Sequence, residues 1–117
     1  MKILSRQALE TINDRKQETV DVPEWGGAVY LRELSAGDHE DLELFMQSSK
    51  QDKHPTIYLR TRLVALALVD HEGNRLYKDE DIEILRSKSS TVINRLCAHV
   101  VKQNNLGSKA METLAGN

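Results

Sequence analysis

The chain is short of the residues on which most reaction chemistry depends. Its 117 residues include one cysteine, one tryptophan, one phenylalanine and two prolines, and aromatic residues make up 4%. The lone Cys97 rules out an intrachain disulfide and fits a reducing compartment. So few aromatics leave core packing to Leu, Val, Ile and Ala. Such a core folds with little surplus stability, and homo-oligomerisation would add to it. The longest apolar run, Leu63 to Val69, is seven residues, against the roughly 20 that a membrane helix needs. Residues 1–7 carry no continuous apolar signal region. No membrane partner is expected, and the chain reads as soluble and intracellular. Charge of one sign is also missing: 16 Lys and Arg stand against 18 Asp and Glu, a net charge of −2. This argues against bulk nucleic-acid binding, which rests on phosphate neutralisation, and leaves only a local basic face as a route to it.

Catalytic and metal signatures are missing as well. His39, His54, His71 and His99 show no metal-ligand spacing, and there is no H-E-x-x-H. Asp70 to Asp81 has the twelve-residue length of an EF-hand calcium loop. Its sixth position, however, is Arg75 where that loop needs Gly, and its twelfth is Asp81 where it needs a bidentate Glu. No serine lies in G-x-S-x-G. Gly26-Gly27 is not followed by G-K-[ST] and opens no helix, so it is not a phosphate loop. Cys97 falls on an apolar helical stripe, which makes a buried, inert thiol the expected state. No enzyme, cofactor or metal is therefore expected.

At this length a single domain is expected, covering residues 1–106, with 107–117 a flexible tail. Leu4, Ala8 and Ile12 recur every four residues and predict an amphipathic helix over 3–14. The period then switches to two. Val20 and Val22, then Val29 and Leu31, alternate with polar or exposed partners, predicting a hairpin over 17–34 with Glu24-Trp25-Gly26-Gly27 at its turn. Pro23 lacks an N–H, so the first strand ends there or lies at a sheet edge. Ser35 and Asp38 have capping-box spacing and open a helix over 36–48, with Leu42, Phe45 and Met46 on one face and Leu44 outside it. A mobile loop over 48–54 is followed by a nearly all-round apolar helix from Pro55-Thr56 to Val69, the candidate core helix. A turn at 70–74 leads through extended Arg75-Leu76-Tyr77 to a short helix over 79–86 with three acids at its start. The last helix, 88–104, carries the cleanest stripe: Val92-Ile93, Leu96-Cys97 and Val100-Val101. The fold class is α+β, one hairpin packed with four or five helices.

Two sets of residues have open readings. Trp25 is either a partner anchor at the hairpin tip or a large side chain folded back onto an aromatic-poor core. Arg60 and Arg62 form either a basic partner-facing patch or the solvated edge of a helix.

The wording V-P-E-W-G-G-x-V-x-L-R-E-L over residues 22–34 resembles the N-terminal signature of tail assembly chaperones from long, flexible-tailed bacteriophages. A second block is similar to that family too: Leu63-Val64 through Leu68-Val69-Asp70, Glu72-Gly73-Asn74-Arg75-Leu76-Tyr77, then Asp79-Glu80-Asp81. The likeness spans roughly residues 16–105, with one departure, Lys78 in place of a Thr or Ser helix cap. It implies a non-enzymatic protein of the host bacterial cytoplasm, absent from the finished virion. Such a protein binds the tape-measure protein, keeps it soluble and promotes tail-tube assembly. A longer product of programmed frameshifting would reach the tail-tube protein. A groove lined by Leu42, Phe45 and Met46, or by part of the 92–101 stripe, is the expected client surface, with Trp25, Arg60 and Arg62 as further contact candidates. The rival readings are a structural tail-completion or head–tail joining protein and a small DNA-binding regulator using the Arg60/Arg62 helix.

Overall fold

A computed structural model describes residues 1–50 and 58–106, with 48–50 in backbone only. The order is α1 (Arg6–Thr11), β1 (Gln17–Val22), β2 (Gly27–Arg32), α2 (Ala36–Lys50), α3 (Leu59–Ala67), β3 (Leu68–Val69), α4 (Ile82–Arg86) and α5 (Ser90–Gln103). The α+β class is as expected, but the sheet has three strands, not two. They lie in the antiparallel order β1-β2-β3, with Val20 opposite Val29, and Tyr30 and Leu31 opposite Val69 and Leu68.

The hairpin follows its sequence. Pro23 ends β1, which is also an edge strand. A 3-10 turn over Pro23–Trp25 closes on Gly26, whose φ of 77° suits glycine. The capping box forms as well. The Asp38 N–H donates to Ser35 Oγ at 3.0 Å, and the Ser35 N–H donates to an Asp38 carboxylate oxygen at 3.1 Å. The helix it opens runs to Lys50, so residues 48–50 of the expected polar loop are helical; the rest of that loop, 51–54, lies outside the described residues.

Three further expectations are corrected. The first helix is shorter than 3–14. Ser5 Oγ caps it by accepting from the Ala8 N–H at 3.2 Å, and the helix ends at Thr11. Its stripe does not enter the core: Leu4 and Ile12 are exposed, Ala8 is half-buried and no residue of α1 is buried. The core helix does not run from 55 to 69. Tyr58 at φ 59° breaks the helical path, so α3 starts at Leu59; Pro55-Thr56 lies outside the described residues. At its other end Leu68-Val69 leaves the helix to pair with β2, because an apolar run satisfies a buried strand as well as a buried helix. Finally, the acids at 79–81 form a 3-10 turn before α4, and Ile84 is exposed while Ile82 and Leu85 are buried. The Lys78 departure is harmless: its backbone N–H donates to the Asp81 carboxylate at 2.9 Å, half of a capping box.

The core lies where α3 packs on α5 and α4. Leu59, Leu63, Val64, Leu85, Val92, Leu96 and Val100 are almost wholly buried. Each of the leucines contributes about 1.5–3 kcal/mol by leaving water. The remaining expected tail, 107–117, lies outside the described residues.

Candidate functional site

Side-chain contacts tie the hairpin to α5. A polar row on α5, at spacings of four, faces the hairpin. Arg95 donates twice to the Glu24 carboxylate at 2.8 and 2.9 Å, His99 Nε2 lies 2.6 Å from Glu18, and Gln103 Nε2 donates to the Leu31 carbonyl at 2.9 Å. The bidentate bond to Arg95 lowers the Glu24 pKa to about 2. Asn104 completes the row. Its Oδ1 accepts from the Leu34 N–H at 2.8 Å, and its Nδ2 donates to the Val100 carbonyl at 2.9 Å. This fixes the point from which α2 departs. Arg15 then reaches the α2 N-terminus, donating to the Glu33 carbonyl at 2.8 Å with Asp38 at 3.5 Å.

Between α2, α3 and the segment before α4 lies an open cleft of about 390 Å³. Buried Leu42 and Leu66 and half-buried Phe45 form its apolar wall. Arg62 closes one side, its guanidinium 4.3 Å from the Phe45 ring centroid, a cation–π geometry. Asp79 holds both arginines of the cleft, Arg62 at 3.7 Å and Arg75 at 3.2 Å, and Arg75 Nε donates to the Ala65 carbonyl at 3.3 Å. Arg62 Nε is buried without an acceptor, so stacking and the Asp79 contact, not a satisfied fork, place this side chain. A second depression of about 470 Å³ lies along α2, lined by Glu40, Glu43, Leu44, Met46 and Gln47. Leu44 is 63% exposed and is the ridge shared by both hollows.

The structure thus brings Leu42, Phe45 and Arg62 into one cleft and puts Met46 beside it. Arg60 is not there. Two residues along a helix from Arg62, it points elsewhere, with its Nη1 3.4 Å from Asn94 Oδ1 on α5. The two arginines do not form one basic patch. Trp25 is half-buried and packs against the core next to the hairpin turn, with part of its surface still open. The 92–101 stripe is taken up by the core: Val92, Ile93, Leu96, Cys97, Val100 and Val101 are all buried. Burial also raises the Cys97 pKa. In the loop that has EF-hand length, Asp70 Oδ1 accepts from the Glu72 and Asn74 N–H groups, at 2.9 and 3.0 Å, and Gly73 has φ 90°. That is an Asx turn.

Periodicity missed Leu44 because it stands off the helical stripe. The available signal was an apolar residue off the stripe, directly after acids at 40, 41 and 43, with no Lys or Arg from 36 to 47.

Comparisons agree with this architecture. The family described as phage tail assembly chaperone matches residues 4–113. A solved structure, the tail assembly chaperone of bacteriophage HK97, is similar at a TM-score of 0.62 and 25% identity, covering 88% of this chain and 99% of that one. No curated protein matches the chain.

Proposed function

The chain belongs to the phage tail assembly chaperone family, and from that premise we propose that it binds the tape-measure protein, keeps it soluble and promotes tail-tube assembly around it. The observation that carries the proposal is the α2/α3 cleft, whose apolar wall of Leu42, Phe45 and Leu66, with Leu44 at its rim, is bordered by charged side chains. A tape-measure protein is a long helical client whose apolar faces are uncovered before assembly and prone to aggregate. An apolar wall rimmed by charged residues suits the helix-in-groove mode of recognition, in which an amphipathic helix lays its apolar face on the groove. Many weak contacts along one client would act together through avidity. Trp25, half-buried at the hairpin turn, is a second contact candidate; Arg60, on α3 beside α5, is a more distant one.

On this reading the protein works without catalysis in the host bacterial cytoplasm and is left out of the mature virion. A longer frameshifted product would carry the contact to the tail-tube protein. Co-expression tests it. The chain should raise the soluble yield of the tape-measure protein, and the Leu44→Ser variant, altered at an exposed ridge, should do so less while keeping its helical content. An unchanged client yield with the wild-type chain, or the chain recovered as a stoichiometric part of purified particles, would overturn the reading.

A further inference from the structure

The acids along α2 are not explained by the fold. Asp38 has two structural duties, closing the capping box and facing Arg15. Among the described residues, Glu40, Asp41 and Glu43 have none. They are exposed, and among the described residues no cation lies within ion-pair distance of any of them. Nor does the helix dipole account for them, since it favours acids in the first turn, where Asp38 alone lies. Like charges three residues apart, as at Glu40 and Glu43, oppose helix formation. All three border the two hollows that meet at Leu44. Their local potential is therefore negative beside an apolar ridge and cleft.

We propose that α2 selects its client by charge: the hollows on either side of Leu44 take an amphipathic helix whose apolar stripe is flanked by Lys or Arg, which pair with Glu40, Asp41 and Glu43. The inference rests on reading this face as the client site and adds the chemistry of what it accepts. The apolar contact supplies affinity, and the carboxylates supply orientation and discrimination against acidic helices. Arg62 and Arg75 offset part of this on the α3 side, where Asp79 supplies one negative charge against their two, but the hollow along α2 is lined by Glu40 and Glu43 with no cation among its lining residues.

The probe is a pair of fluorescent 24-residue amphipathic peptides with the same Leu stripe, one flanked by Lys and one by Glu, titrated into the full chain. Three exposed ion pairs should favour the Lys peptide by about tenfold at low salt, and most of this should vanish at 0.3 M NaCl. The variant Glu40→Gln/Asp41→Asn/Glu43→Gln should lose the preference with its circular dichroism unchanged. The control Asp21→Asn/Glu72→Gln/Glu80→Gln removes the same charge elsewhere and should keep it. Equal affinity for both peptides, or equal loss in variant and control, overturns the inference. So does self-association of the wild-type chain that the triple variant abolishes, which would make a second copy the occupant. The chaperone reading is scored separately. If wild type and triple variant rescue the tape-measure protein equally, that reading stands and charge selection falls; if neither rescues it, that reading falls while the peptide contrast still decides this one.

Discussion

The cleft depends on one contact that can be weighed directly, the Arg62 guanidinium over the Phe45 ring. At 4.3 Å from the centroid, with the Arg62 side chain 22% exposed, the pair lies between a surface and a desolvated cation–π contact. That places it at about 1–1.5 kcal/mol. Phe45→Leu keeps an apolar side chain but removes the ring face, and should cost about 1–2 kcal/mol once lost packing is added. Arg62→Met is a closer contest. It loses the stacking and a long, half-exposed contact to Asp79 of at most about 0.5 kcal/mol. It also removes the unpartnered, buried Nε, whose desolvation costs about 1 kcal/mol. The two effects nearly offset, so Arg62→Met alone should cost under about 1 kcal/mol. The informative quantity is therefore the coupling, which a double-mutant cycle by urea unfolding isolates. A coupling of about 1 kcal/mol is expected. With a urea m-value of about 1–1.5 kcal/mol/M, that is a midpoint difference of roughly 0.7–1 M. A coupling below about 0.3 kcal/mol would refute the stacked arrangement and the shape of the cleft built on it.

Three other predictions follow from the frame behind that cleft. The Glu24 carboxyl titrates at about 2 in the folded chain against an ordinary 4.5. Its stabilising effect is then present above the unfolded value and fades as pH falls from about 4.5 to 2; in urea unfolding the gap between wild type and Glu24→Gln should close over that window, and a gap independent of pH would contradict the pairing with Arg95. Asn104→Ala should cost about 2 kcal/mol by leaving the Leu34 N–H unpaired, and Asn104→Asp, which keeps the acceptor, should recover part of it. Gly73→Ala should cost about 2 kcal/mol in the same assay, because a Cβ at φ 90° would also lie 2.7 Å from Arg32 Nη1, which donates to the Gly73 carbonyl.

What the sequence made legible was local. The Ser35/Asp38 box and the α5 stripe depend on residues within a few positions of one another, and each formed, as did a turn at the hairpin, one residue earlier than the expected Glu24–Gly27. β3 was hidden because Leu68-Val69 continues an apolar run, and only β2, nearly forty positions away, decides that it is a strand. For α1 the period foretold a helix but not its burial; whether a stripe has a face to pack on is a tertiary question. The site was legible in part. Phe45 and Met46 were found from the stripe, but their pairing with Arg62 and the exclusion of Arg60 follow from two-residue geometry on α3 and from the position of Asp79. The row Arg95, His99, Gln103 was a visible helical repeat, but its acceptors lie over seventy residues back in the chain.

The central claim is that this protein holds a tape-measure protein in solution through its α2/α3 face. Its most direct test is size-exclusion chromatography with light scattering on the chain co-expressed with the tape-measure protein, wild type beside Leu44→Ser. The account predicts a soluble complex carrying several copies of the wild-type chain per client, and fewer copies or none with the variant. A client that stays insoluble beside a folded wild-type chain, or a complex indifferent to Leu44→Ser, would contradict it.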